Sequence, residues 1–205
     1  MSDNLLYLQQ KIAGCEKCRL HRKRENIVFG EGDPHAEIMF VGEGPGQRED
    51  WKGRPFVGWS GDILKRILVR LNLDRFRGVY ITNVVKCRPP DNRDPIPDEI
   101  AACSPYLHAQ IYSIQPKLLV GVGRFAANLL AGTEDEPMGA LLDRDDLMYR
   151  RDIPRKGIRI EIPVLGIYHP AYLGRQLREG NRDKLRETFN SLRGRLIKLS
   201  IISEK

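Results

Sequence analysis

The sequence predicts an α/β fold three layers deep, α/β/α, with a central four-stranded parallel sheet in a single domain over residues 1–205. Three observations carry this. Four short apolar runs have the length and β-branched content of buried strands. Helical patterns fall between and around them, and such alternation implies right-handed crossovers with helices on both sheet faces. The 205 residues also suit one ordinary domain with a sizeable core.

The first strand is AEIMFVG (36–42), followed by GDILKRILVRL (61–71), whose apolar residues recur at three- and four-residue steps as on one helix face. VYITNVV (79–85) is the second strand, and DEIAACSPYLHAQIYSI (98–114) a less regular helix. KLLVGVG (117–123) is the third strand, leading into a helix that begins near Arg124 with FAANLLA. IPVLGIYH (162–169) is the fourth, and RDKLRETFNSLRGRLIKL (182–199) is a closing helix. Residues 133–160 break the alternation, acidic and then basic, with Gly139, Pro154 and Gly157; they read as an insert, a candidate hairpin.

Composition narrows the function classes. A hydrophobic fraction of 41% and a charged fraction of 30% are those of a water-soluble globular protein. No apolar run approaches the ~20 residues of a membrane span, and the first residues, MSDNLLYLQQKIAGC, lack a signal peptide's basic-then-apolar pattern, so a cytoplasmic location is expected. The net charge of +7 is unevenly spread: residues 150–205 carry 14 Lys+Arg against 6 Asp+Glu, and the remainder is nearly neutral. Such a surplus suits either a polyanion such as nucleic acid or a solubilising helix face.

Ligands of open parallel sheets bind beyond the carboxyl ends of the strands. Gly42, Gly44 and Gly46 end the first strand, Asn83 lies near the end of the second, Gly121–Gly123 the third, and His169-Pro170 the fourth. The glycines resemble a phosphate loop, but Pro45 interrupts them and Glu43, Glu49 and Asp50 oppose an anion. That weighs against a dinucleotide fingerprint and favours a polar ligand of little charge, such as a nucleobase. Phe56, between Pro55 and Gly58, is either core or a ring that stacks on a base. Asn83 in a β-branched strand is either satisfied by backbone or held to read a donor–acceptor edge. His169 is a turn residue or a fourth member of this set.

Cys15 and Cys18 form a C-x2-C pair, joined downstream by Cys87 and Cys103. Four thiolates complete a set for zinc or for a [4Fe–4S] cluster, and spacing does not choose between them.

Three stretches, GEGPGQREDWKGRPFVG, YITNVVKCRPPDNRDPIPDEIAAC and YHPAYLGR, with CEKC before them, resemble the iron–sulfur (family 4) uracil-DNA glycosylases. The likeness runs from about residue 8 to 175. It implies that Cys15, Cys18, Cys87 and Cys103 ligate a structural [4Fe–4S] cluster, with zinc the minor reading, and that residues of about 8–30 form a cluster-binding segment. It implies that Phe56 stacks on uracil, Asn83 bonds its edge, Glu49 lies near C5 and His169 faces O2, with Gly42 also in the uracil site. Glu43 and Gly44 fall in the water-activating motif. Other uracil glycosylases commonly place Asp or Asn where Gly44 stands, which leaves Glu43 as the candidate base.

The implied activity is that of a monofunctional DNA N-glycosylase, a monomer acting on single- or double-stranded DNA and leaving uracil and an abasic site. Leu173 and Arg175 are then expected to contact DNA, wedging into the gap left by the flipped base. The basic C-terminal stretch is expected to hold phosphates. The competing class is a metal-stapled module that binds nucleotides or nucleic acid without cleaving them.

Overall fold

The computed structural model describes residues 3–142, 144–153 and 157–203. Its sheet has six strands rather than four. The predicted four are present and mutually parallel: β2 (Ile38–Gly42), β3 (Val79–Asn83), β4 (Leu118–Val122) and β6 (Ile158–Ile167). Two antiparallel edge strands complete the order β1-β3-β2-β4-β6-β5: β1 (Glu31–Gly32) on β3, and β5 (Met148–Ile153) on β6. Neither edge announces itself as an apolar run. The first is two residues long, and the second, MYRRDI, buries only Tyr149. Charged, half-exposed strands are the usual way to end a sheet without inviting further pairing. Part of the span read as an insert is thus the β5–β6 pair, from Met148↔Pro163 to Ile153↔Ile158; Pro154 lies outside the described residues.

The inner strands read as continuous apolar runs because both faces are covered. Along β2, Ile38 and Phe40 enter one core cluster while Met39 and Val41 enter the other. The Met39 side packs on α1 (Asp3–Ile12), α4 (Pro97–Ile114) and α5 (Arg124–Ala131), through Leu5, Leu107, Ile111 and Ala127. The Phe40 side packs on α3 (Trp59–Arg70), α7 (Pro170–Arg178) and α8 (Asp183–Lys198), through Leu64, Leu68, Leu173 and Leu192. The two short helices are α2 (Gln47–Lys52) and α6 (Met138–Leu142). Among the described residues no helix is long and apolar enough to cross a membrane.

This framework brings four chain segments to one edge. Gly42 and Asn83 are register partners at the ends of β2 and β3. Beyond β4, Gly123 has φ +94, and a Cβ there would meet the Cβ of His169 at 3.3 Å, so the chain leaving β6 lies against it.

Candidate active site

A cavity of about 700 Å³ opens at this edge, with Glu43, Gly44, Glu49, Phe56, Asn83 and His169 in its wall. Residues from three remote stretches, those leaving β2, β3 and β6, meet as the strand-end rule requires, while Gly121–Gly123 at the end of β4 stay out of the wall. Gly42 is not in the wall. It lies behind two wall residues, where a Cβ would sit 2.4 Å from Asn83 Oδ1 and 2.7 Å from Phe56 Cζ.

Phe56 is 7% exposed and holds φ 48, a left-handed conformation uncommon for an aromatic residue. Three contacts hold it there. Arg75 donates to the Phe56 carbonyl at 2.9 Å and to that of Pro55, while its Nε bonds Glu31 Oε1 at 2.6 Å. Gly61 underlies the same peptide, since a Cβ there would come within 2.1 Å of the Phe56 oxygen. Backbone strain survives only where neighbours over-determine it. The ring faces His169 at 6.3 Å between centroids, tilted by 37°.

His169 caps α7, its Nδ1 accepting the Ala171 N–H at 3.2 Å. A ring nitrogen that accepts carries no proton, so the neutral ring keeps its hydrogen on Nε2 as a donor. Burial, aided by the Arg175 charge and opposed by Glu49, lowers the imidazole pKa to about 4. The ring is therefore neutral at physiological pH.

Asn83 is buried, and among the described residues nothing else engages its side-chain amide. Its carbonyl accepts from Lys86 Nζ at 2.6 Å. Glu49 is buried with Oε1 accepting the amides of Val57 and Gly58, at 2.9 and 2.7 Å, at the start of α3. Such placement favours a carboxylate at a helix N-terminus. Its neighbour Asp50 is also buried and turns away, accepting from the amides of Glu25 and Asn26 and so tying down the N-terminal segment.

Glu43 shares the wall with Asp94, from the loop before α4. Burial, then the Asp94 charge and a hydrogen bond between the two carboxyls, push the Glu43 pKa up to about 7. Two carboxyls this close favour holding one proton between them.

The four cysteines are free thiols gathered at the other end of the β3 loop: Cys87 and Cys103 belong to one core cluster, and Cys15 and Cys18 pack against it. Arg24 Nη1 bonds the Cys15 carbonyl at 2.6 Å and approaches Cys87 Sγ at 3.5 Å. The Lys86 amide donates to Cys103 Sγ at 3.3 Å. Burial pushes the Cys87 thiol up to about 11 and raises Cys18 and Cys103 as well. Each of these three also feels charge from other members of the set. Among the described residues no three His, Cys, Asp or Glu side chains close on a single ion. None of the four cysteines lines the cavity.

The profile of the uracil DNA glycosylase superfamily matches residues 29–193. A type-4 uracil-DNA glycosylase of Sulfurisphaera tokodaii is 46% identical over 170 residues, which cover 82% of this chain and 75% of the relative. One from Archaeoglobus fulgidus is 44% identical over 182 residues, 89% of this chain and 86% of the relative. A type-5 uracil-DNA glycosylase of Thermus thermophilus is 34% identical, over 59% of this chain and 69% of the relative.

The chain belongs to the type-4 uracil-DNA glycosylases.

One residue expected at a type-4 DNA interface is elsewhere. Leu173 is 0% exposed, in the core cluster with Ile63, Leu64 and Leu192. In this structure it is not offered to DNA, because α7 turns its apolar face, with Pro170 and Leu173, onto α3. Arg175, two residues on, is exposed at the cavity wall. The basic C-terminal stretch is partly spent within the protein: Arg195 and Lys198 both pair with Asp145, and Lys184 with Glu187. Sequence reasoning missed Asp94, Arg75 and Lys86. The last is 0% exposed, bonded to Thr82 Oγ1, Asn83 O and Gln110 Oε1 at 2.6–2.7 Å, and burial lowers its pKa to about 7. A lysine directly after a buried strand, YITNVVK, was the available signal.

Proposed function

We propose that this chain excises uracil from DNA by hydrolysing the N-glycosidic bond, releasing uracil and leaving an abasic site. One observation carries the reading. A neutral imidazole with its donor nitrogen free, an unengaged amide and a rigidly held phenyl ring meet in a single cavity. Those are the three contacts an extruded pyrimidine needs: stacking on its face, hydrogen bonds to its edge, and a donor for the charge it carries as it leaves.

Phe56 stacks on the flipped base. The Asn83 amide donates to uracil O4 and accepts from N3–H; cytosine presents the reverse pattern and leaves both groups unpaired in a buried site. Glu49 lies near C5, where it opposes a thymine methyl. As the glycosidic bond breaks, negative charge gathers on the uracil O2, and His169 Nε2–H stabilises it without giving up its proton. Removing one such preorganised donor typically costs roughly 10²–10³-fold in rate. Water adds to the sugar carbon, and ionised Glu43, beside Gly44 and paired with Asp94, accepts its proton. Arg175 at the rim contacts the DNA backbone.

Cys15, Cys18, Cys87 and Cys103 hold a [4Fe–4S] cluster. Their fit rests on the donor set: four free thiols around one core cluster, with N–H donors already aimed at two of the sulfurs. Zinc, which four cysteine thiolates also suit, is the minor reading. When bound, the cluster staples the N-terminal segment to α4 and supplies no chemistry to the hydrolysis. On this reading the protein acts as a monomer in the cytoplasm.

The test is an oligonucleotide with one deoxyuridine, single-stranded or opposite guanine, treated with alkali after incubation. Alkali-dependent breaks that disappear in His169→Ala and Asn83→Asp support the reading. Absence of breaks from cluster-loaded wild type overturns it and leaves a nucleotide-binding module.

A further inference from the structure

The chain has two tryptophans, and both line one groove beside the catalytic cavity. Trp51 is 64% exposed at the end of α2 and Trp59 is 40% exposed at the start of α3. Burying an indole is worth more than burying almost any other side chain, so two left largely open on one surface call for a reason. The groove, about 650 Å³, is not separate from the active site. Glu49, Ser60 and Ala171 belong to the walls of both.

Its surroundings are basic and aromatic together. Arg48 lies in the same groove wall, one turn before Trp51 on α2. The Arg178 guanidinium stands over the Trp59 ring at 4.4 Å from its centroid, and Lys52 Nζ lies 5.9 Å from that of Trp51. Trp59 is also fixed edge-on, since a Cβ at Gly174 would sit 2.4 Å from its Cη2 and Cζ2. Glu25 is the one exposed acid in the groove wall among the described residues. Aromatic platforms flanked by cations are how proteins hold single-stranded nucleic acid without reading its sequence, the bases stacking and the phosphates pairing.

We infer that this groove binds the unpaired nucleotides adjoining the deoxyuridine on one side, Trp59 and Trp51 stacking on their bases and Arg48 and Arg178 meeting their phosphates. The inference rests on the proposed function for the polarity of the strand through the cavity, and the groove itself can be tested without it. It gives the protein a second hold on single-stranded substrate, outside the pocket that recognises uracil. A fully paired strand cannot offer its bases to the indoles.

A short oligothymidylate, which contains no uracil, is the probe. It should quench the intrinsic tryptophan fluorescence of the cluster-loaded protein, because every indole of the chain lies in the groove. Trp51→Ala and Trp59→Ala should each weaken binding of this probe about tenfold, the scale of one base–aromatic stack, and Trp59→Phe should recover most of the loss. Saturating single-turnover excision from a uracil oligonucleotide should stay unchanged in these variants. With uracil placed at one or the other terminus of the substrate, the effect of the substitutions on affinity should vanish for one end only. Trp51 is so exposed that its removal leaves folding intact should Trp59→Ala prove unstable. Unquenched fluorescence together with wild-type affinity in Trp51→Ala would overturn the inference while leaving uracil excision standing. Quenching by oligothymidylate from a protein that excises no uracil would do the reverse.

Discussion

Replacing Gly42 with alanine adds a single methyl group, yet it should cost far more activity than stability. The residue ends β2 beside its register partner Asn83, and its φ lies outside the left-handed region, so alanine meets no backbone penalty. The added Cβ would stand 2.4 Å from Asn83 Oδ1 and 2.7 Å from Phe56 Cζ, whereas ordinary contact begins at 3.4 Å. The amide must therefore retreat by about 1 Å, and the ring by somewhat less. Misplacing a positioning group by about 1 Å can cost on the order of 10²-fold in rate. Here the amide that reads the base and the ring that stacks on it move together. Single-turnover excision of uracil should fall about a hundredfold, with a melting temperature close to wild type. The matched control is Gly194→Ala in α8, where a Cβ meets nothing within 4 Å. That change should stabilise by about 1 kcal/mol through helix propensity alone, with excision untouched. Excision by Gly42→Ala within about threefold of wild type would refute the claim that close packing at this glycine sets the reading geometry.

Three further predictions concern separate parts of the site. Glu43, with its pKa at about 7, must be ionised to accept a proton, so excision should rise with pH between 6 and 8 as the ionised fraction climbs from about a tenth to about nine tenths; His169, at about 4, stays neutral throughout. Asp94→Asn removes the neighbouring charge and should move that midpoint to lower pH, and a profile flat above pH 5 in wild type would exclude Glu43 as the base. Arg75→Ala frees the Pro55 and Phe56 carbonyls and should relax the left-handed Phe56, weakening inhibition by free uracil about tenfold, near the ~1 kcal/mol or more stored in such a conformation; unchanged inhibition would show that Gly61 alone suffices. Leu173→Ala should lower stability by about 2–5 kcal/mol, as for a leucine removed from a core, while the folded variant binds DNA normally. Weak DNA binding with unchanged stability would restore the wedge.

The sequence by itself determined the elements whose environment is uniform. Buried parallel strands must be apolar on both faces, so β2, β3, β4 and the end of β6 stand out as runs, and helices with one buried face show their period. Parallel strands joined by crossover helices end on one edge, which is why the sequence already groups Glu43, Asn83 and His169. Cysteine pairs and glycines are legible for the same reason: few other residues do their work.

Only the tertiary structure decided what depends on a partner far along the chain. Glu43 meets Asp94, Arg75 reaches back to Phe56 and Glu31, and Lys86 finds Gln110; no local pattern encodes these pairings, because each side chain is ordinary until its neighbour arrives. The edge strands β1 and β5 belong here too, since their backbones are ordered by the strands they join rather than by their own residues. Leu173 shows the limit most plainly. An apolar residue after a catalytic histidine suits a wedge or a core equally well, and the choice was made by the rotation of α7, which places Leu173 against α3 and leaves Arg175 at the cavity rim.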